Sequence, residues 1–286
     1  MSRRKLTVLI TMLSLSFVLS GCGLIDIILA DPIRARLDAA CAAAPFEVTK
    51  TEDTYDALCT TGDCSLREAV FTANACEGAQ EIHLENETYE LTRMDPGDYE
   101  DPNAAGGLVL TESATIVGND AIVDGQNAVR VFDIRLDSGE SVTFDEFRIR
   151  NGFSEDNGGG VRIVSGPLIL NDMLVSDNRA GADDPSATAS GGAIYVAAGS
   201  LTVTQSIITG NEAAGNGGGI SVAEGAELDV APSSSISDNL AADETGGASV
   251  GGGGVYNAGE ARISGIVQEN RAASGHGGAI FNAATL

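Results

Sequence analysis

The feature that most constrains this 286-residue chain is a short phrase, two or three glycines followed by an aliphatic residue, that occurs five times in its second half. The copies begin at Gly158, Gly191, Gly217, Gly252 and Gly277. A β-branched run after each of the first four leads to an asparagine, which is Asn178, Asn211, Asn239 or Asn270. The aliphatic-to-asparagine steps are 17, 17, 19 and 15 residues, whereas the steps to the next phrase are 13, 6, 13 and 7. Segments of steady length with variable connectors indicate stacked structural repeats.

Composition favours an all-β solenoid with a narrow aliphatic interior. Of the 36 glycines, 26 lie in residues 152–286; there is no Trp, and aromatic residues make up 5% of the chain. Short apolar runs alternate with turns from Glu81 onward, and alternation within Leu201–Thr204 places one face inward. We predict strand rungs over residues 81–286, with the chain truncated at its C-terminus because no closing cap follows the last phrase.

The repeated asparagines and glycines have separate predicted roles. Asparagines that end successive rungs are expected to stack as an amide ladder, and asparagine also tolerates the left-handed turn conformation. The glycines allow tight turns where a Cβ atom would clash. The long connectors Ala180–Ser190 and Leu240–Gly251 are either binding loops or tolerated insertions.

The N-terminus is typical of an exported protein. Residues 1–21 combine a basic start with an apolar core, as a signal peptide does. The tetrapeptide Leu19–Cys22 resembles the lipobox of bacterial lipoproteins, which implies that Cys22 is acylated and anchors the chain in a membrane. Gly23, rather than Asp, implies onward transport to an outer membrane in that family. The alternative is an ordinary signal peptide with a chance cysteine; residues 22–45 are interpreted as the lipidated cysteine and a spacer.

Residues 46–80 are predicted to form a disulfide-bearing cap at the start of the solenoid. Four cysteines remain after Cys22, namely Cys41, Cys59, Cys64 and Cys76, and their even number in an exported chain favours two disulfides. Three connectivities are possible, and a metal site with His83 is a weaker alternative. Ser65 and Glu68 predict a capping box at the start of a short helix that covers the open end of the stack.

The heptapeptide Cys64–Val70, followed by Ala73–Ala75, resembles the CSLREA motif. This motif marks the N-terminal end of a group of secreted bacterial proteins with right-handed parallel β-helix repeats. The glycine phrases with later asparagines are also similar to the repeats of polymorphic outer-membrane proteins, and the fold is shared by pectin-lyase-like β-helices. The resemblance covers about residues 46–286 and implies an all-β, right-handed parallel β-helix.

Charge and motifs favour a binding or structural role over catalysis. The net charge of −25 disfavours nucleic acid as a partner. Asp183–Asp184 and Ser274–Gly277 resemble two of the four short motifs of polygalacturonases, and the other two are absent. We therefore expect no catalytic residues, metal site or cofactor in a lipid-anchored, surface-exposed outer-membrane protein for adhesion, surface structure or binding of glycans or proteins. The alternatives are a polyuronate lyase or hydrolase, for which Ca²⁺ would be the cofactor, and a structural stalk.

Overall fold

The chain folds into β-strands that stack in parallel, with two short helical segments near their N-terminal end, residues 34–41 and Leu66–Ala75. The computed structural model describes residues 34–56, 58–94, 102–181, 188–242, 250–273 and 275–284. The strands, in chain order, are β1 (Phe46–Glu47), β2 (Gln80–His83), β3 (Thr88–Glu90), β4 (Leu108–Leu110), β5 (Ala114–Asp124), β6 (Phe132–Arg135), β7 (Val142–Arg150), β8 (Phe153–Ser154), β9 (Val161–Ser165), β10 (Pro167–Asn171), β11 (Leu174–Ser176), β12 (Arg179–Ala180), β13 (Ile194–Val196), β14 (Ser200–Thr204), β15 (Ile207–Thr209), β16 (Glu212–Ala213), β17 (Ile220–Val222), β18 (Glu227–Val230), β19 (Ser235–Ser237), β20 (Leu240–Ala241), β21 (Val255–Asn257), β22 (Glu260–Ile263), β23 (Ile266–Gln268), β24 (Arg271–Ala272) and β25 (Ile280–Asn282).

The strands line the four sides of a solenoid. Side one carries the first half of β7 and then β10, β14, β18 and β22; side two carries the second half of β7 and then β11, β15, β19 and β23. Side three is the short series β8, β12, β16, β20 and β24, and the glycine side is the series β4, β6, β9, β13, β17, β21 and β25. Each strand pairs in parallel with its equivalent one turn later, about 4.8 Å along the axis. The prediction of an all-β parallel solenoid is confirmed.

The interior is built from alternate residues of each strand. Leu168, Leu201 and Leu228 follow one another through the stack on side one, and each is at most 3% exposed. The early turns differ from the narrow aliphatic interior that the composition predicts, because they bury a cluster of phenylalanines. The rings of Phe132, Phe144 and Phe147 have centroids 4.6 to 6.2 Å apart. The aliphatic interior thus holds for the later turns, where glycine and alanine are most frequent.

An asparagine ladder runs along the corner that joins sides two and three. The side-chain amide of Asn178 donates to Oδ1 of Asn211, that of Asn211 to Asn239, and that of Asn239 to Asn270, each at 2.9 Å. The asparagines themselves do not adopt the left-handed backbone conformation that asparagine tolerates. Positive φ belongs to the residue just before each one, namely Asp177, Gly210, Asp238 and Glu269. The turn is made one residue earlier, which leaves each amide pointing into the stack.

The cap is held by the helix Leu66–Ala75 and two disulfides. Ser65 Oγ accepts from the backbone N–H of Glu68, and Glu68 Oε2 accepts from the backbone N–H of Ser65 at 2.9 Å, so the capping box is present. The helix packs against β2 and β4, the first rungs. Of the three possible pairings, the structure has Cys41–Cys76 and Cys59–Cys64.

The folded cap also extends into the range predicted as a spacer. Residues 34–41 are helical, and Leu37 is buried against Phe71 of the cap helix. The Cys41–Cys76 disulfide attaches this segment to the C-terminal end of the cap helix. His83 is not near a thiolate; its ring lies between the carboxylates of Glu47 and Glu81. Across the part of the chain that the structure describes, no helix has the length and apolar character needed to cross a membrane.

Candidate binding surface

One outward-facing row on the glycine side collects arginine and aromatic side chains. In the first four glycine phrases the aliphatic residue is buried in the interior, so the residue after it lies on the outer side of the strand. Strand register places these outward residues in a single file, which we term the lateral stripe. It consists of Asp133, Arg162, Tyr195, Ser221, Tyr256 and Phe281. With five steps of about 4.8 Å, the stripe is about 24 Å long.

The N-terminal end of the stripe is an arginine cluster around one buried carboxylate. Asp133 is 5% exposed and accepts hydrogen bonds from Arg135, at 2.9 and 3.2 Å, and from Arg162. Arg130 Nη1 lies 3.6 Å from the same carboxylate. Arg135 is two residues along β6 and Arg162 is on the neighbouring strand β9, so sheet geometry brings all of them to one point. We term Arg130, Asp133, Arg135 and Arg162 the arginine cluster.

The ionisation of the cluster follows from this geometry. Burial alone would raise the pKa of Asp133, but the hydrogen bonds from Arg135 and Arg162 outweigh burial and hold that pKa below its ordinary value. Hydrogen bonding to Asp133 raises the pKa of Arg135. Burial and the neighbouring Arg162 lower the pKa of Arg130 to about 10, which still leaves it protonated at neutral pH. Asp133, Arg130 and Arg135 are therefore charged at neutral pH.

The cluster carries an excess of positive charge in a strongly acidic protein. Even when the nearby Asp156 is counted with Asp133, three arginines face two carboxylates, whereas the whole chain carries −25. The Nε atom of Arg162 is buried and, within the described residues, has no hydrogen-bond partner. A buried donor without a partner is uncommon in folded proteins, and it marks Arg162 as a side chain whose hydrogen-bonding capacity is not used in full.

The rest of the stripe is aromatic. Tyr195 and Tyr256 are half-buried, and Ser221, which lies between them in the register, is only 3% exposed. The rings of Tyr256 and Phe281 stack with centroids 5.6 Å apart and planes 15° apart. The ring of His276 also stacks on that of Phe281, with centroids 6.3 Å apart. Partly exposed aromatic rings in a straight file suit contact with an extended ligand.

The described residues contain no assembled catalytic site of the polyuronate-cleaving kind. Asp183, Asp184 and Ser274, which resemble polygalacturonase motifs, lie outside the described residues, as does the predicted lipidation site Cys22. A lyase would need a basic side chain in one lateral groove. Three arginines are on three different sides: Arg148 on side two, Arg162 on the glycine side and Arg262 on side one. Among the described residues, no group of three or more His, Cys, Asp or Glu side chains is placed to hold a metal ion.

Sequence reasoning missed the stripe, although a signal for it was present. The residue that follows the aliphatic position of each glycine phrase is Arg, Tyr, Ser, Tyr or Phe, which departs from the small and aliphatic residues around it. Comparison of the chain with family models, with curated proteins and with solved structures found no match in any of the three. The lateral stripe and the sequence are therefore the evidence for the function of this chain.

Proposed function

We propose that this chain is an exported, non-catalytic binding protein of the cell surface, and that its lateral stripe contacts an extended ligand. The observation that carries the proposal is the single file of arginine and aromatic side chains on one side of a rigid solenoid. Each rung adds one contact at a fixed spacing, so affinity accumulates along a rod-like ligand. Solenoid proteins commonly bind through such extended surfaces.

A ligand on the lateral stripe can contact side chains but cannot hydrogen-bond to the backbone of the strands. Strands β9, β13, β17 and β21 are each paired on both edges, so their N–H and C=O groups are occupied. A peptide that binds by adding a strand needs a free sheet edge. A glycan needs none, because sugar rings are bound through stacking on aromatic faces and through hydrogen bonds from side chains. The arrangement therefore favours a glycan, and surface adhesion or coverage is the role that follows.

We also propose that the acylated Cys22 holds the protein on the cell envelope, in the outer membrane where the host has one. Replacing Cys22 with serine removes the thiol that carries the lipid, so the protein should move from the membrane fraction to the soluble fraction. Cell fractionation with immunoblotting measures this, and Cys22→Ser should also abolish labelling by a radioactive fatty acid. Unchanged membrane retention of Cys22→Ser would overturn the anchoring proposal.

The binding function is tested with the full chain carrying Cys22→Ser, on a panel of immobilised pectic, alginate and host-type glycans with Ca²⁺ present. We expect retention on at least one glycan without the appearance of new reducing or unsaturated ends. Tyr195→Ala should lower that retention about tenfold, because a stacked ring contributes on the order of 1 kcal/mol or more. The matched control is Tyr89→Phe, a buried tyrosine away from the stripe, which should bind normally.

The two contrary results have different meanings. New chain ends would support the alternative function, a polysaccharide lyase or hydrolase, over a binding protein. Absence of retention on every glycan would overturn the proposal that the stripe is a glycan-binding surface. Equal retention by the parent protein and Tyr195→Ala would show that binding occurs elsewhere on the solenoid.

A further inference from the structure

We propose that the arginine cluster is a carboxylate-binding subsite, and that the ligand is a glycan in which an isolated acidic sugar is followed by neutral sugars. The inference rests on the proposed function, because it names the chemical class of ligand for the same stripe. The acidic sugar would lie over Arg135 and Arg162, and the neutral sugars would lie over Tyr195, Ser221 and Tyr256.

Arg135 and Arg162 have N–H donors that Asp133 does not engage. Asp133 engages Nε and Nη2 of Arg135 and Nη2 of Arg162. Within the described residues, no hydrogen bond engages Nη1 of either group, so each arginine keeps one terminal nitrogen for a ligand. The side chains of Arg135 and Arg162 are 45% and 24% exposed, so a ligand can reach both. Guanidinium groups match a planar carboxylate with paired hydrogen bonds.

The third arginine of the cluster, Arg130, is itself held in a fixed position beside Asp133. Arg130 Nε donates to the carbonyl of Gly158 at 2.7 Å, and its Nη2 donates to Ser154 Oγ at 2.6 Å and to the carbonyl of Asn157 at 2.9 Å. This side chain is fixed by the loop before β9, and its charge adds to the local field. Asp133 in turn fixes the orientation of Arg135 and Arg162. A ligand therefore meets arginines whose conformations are already ordered, which lowers the entropic cost of binding.

Charge limits how acidic the ligand can be. The chain carries −25, so a ligand with a negative charge on every unit is repelled along most of its length. Only the arginine end of the stripe compensates a negative charge, and the next three rungs present Tyr195, Ser221 and Tyr256, all neutral. One carboxylate at the cluster with neutral rings on the following rungs satisfies both conditions. A uniformly acidic polyuronate or a nucleic acid does not.

The probes are an oligosaccharide of neutral sugars that ends in one uronic acid and its carboxyl-reduced counterpart, which has an alcohol in place of the acid. The protein is the full chain carrying Cys22→Ser. We expect it to bind the acidic probe at least tenfold more tightly than the reduced one, because one charge-assisted hydrogen bond is worth about 1.5 kcal/mol or more. Calorimetry at low and moderate salt measures both affinities.

The variants separate a local subsite from overall charge. Arg135→Gln and Arg162→Gln should each remove most of the preference for the acidic probe. Arg148→Gln and Arg262→Gln make the same change in net charge on sides two and one, and they should keep the preference. Arg135→Lys retains the charge but not the planar guanidinium, so we expect it to lose part of the preference for the acidic probe. This variant still tests the subsite if Arg162→Gln folds poorly. Circular dichroism checks that each variant is folded.

The failure of the subsite and the failure of the proposed function give different results. Equal affinity for the acidic and reduced probes, or an equal loss in the Arg148→Gln control, would overturn the carboxylate subsite and leave glycan binding intact. Tighter binding of a uniformly acidic polyuronate than of the single-acid probe would also overturn it. If the parent protein binds neither these probes nor any glycan of the panel, both proposals fail together.

Discussion

Replacing Asn211 with alanine should lower the free energy of unfolding by about 4 kcal/mol, a large fraction of the stability of an ordinary domain. Asn211 is 1% exposed. Its Oδ1 accepts from the side-chain amide and the backbone N–H of Asn178, at 2.9 and 3.0 Å. Alanine would leave both donors buried without an acceptor, and each such group costs about 1–3 kcal/mol.

The acceptors on the other side of Asn211 lose a partner as well. Its Nδ2 donates to the carbonyls of Val175 and Thr209, at 3.0 and 2.9 Å, and to Oδ1 of Asn239. Because the ladder is continuous, one substitution opens it in the middle and breaks contacts to the turns above and below. Equilibrium urea unfolding measures the change.

The matched control is Asn171→Ala, an asparagine on the outer face of side one. Its amide donates to Asp145 at 2.6 Å, and water can replace that contact because the residue is only partly buried. We expect a cost below about 1 kcal/mol for Asn171→Ala. If the two variants were equally stable, the buried ladder would contribute no more than a surface hydrogen bond.

The ladder and the cap show which features sequence alone can predict. The steps of 15 to 19 residues predicted that the four asparagines stack, and the Ser65–Glu68 spacing predicted a capping box. Both features could be predicted because each depends on a local pattern in the sequence. The residue that makes the left-handed turn could not be identified from sequence, because it is the one before each asparagine. Positive φ is imposed by the corner between two sheets, and even Glu269, with φ of 56°, adopts it. A conformation fixed by tertiary structure does not require a glycine or an asparagine.

Features that depend on distance in space could not be predicted. A disulfide requires its two Cα atoms to be close together, and those of Cys41 and Cys76 are 5.6 Å apart. That distance is set by how residues 34–41 pack on the cap helix. The arginine cluster is similar: Asp133 and Arg162 are 29 residues apart and meet only because β6 and β9 pair in register. Asp133 also precedes the first glycine phrase, so the repeat pattern does not reach it.

Replacing Gly192 with alanine should lower the free energy of unfolding by about 3 kcal/mol or more. The three small positions of a glycine phrase have different structural requirements. The first, Gly191, has φ of 72°, a conformation that glycine adopts without strain. The second, Gly192, has room for no side chain. A Cβ atom there would lie 2.3 Å from the carbonyl oxygen of Gly218 and 2.4 Å from that of Glu212.

The clash at Gly192 cannot be relieved by moving a side chain. Both contacts are backbone oxygens, one in the next turn and one on side three. A shift large enough to admit a methyl group would disturb the parallel pairing of several strands. Thermal and urea unfolding measure the loss. Ala193→Gly, one residue along, is the control: it removes a methyl group from a position that already accepts alanine, and it should cost about 1 kcal/mol.

A second comparison shows whether the stacking of turns causes the effect. Gly278 occupies the position of Gly192 in the last described turn, where a Cβ atom would meet its nearest neighbour, the carbonyl oxygen of Asn270, at 3.1 Å. Gly278→Ala should therefore cost much less than Gly192→Ala, although the sequence around both glycines is nearly the same. Equal costs would mean that the backbone conformation requires glycine at this position. Unequal costs would mean that close packing against the next turn and side three requires it.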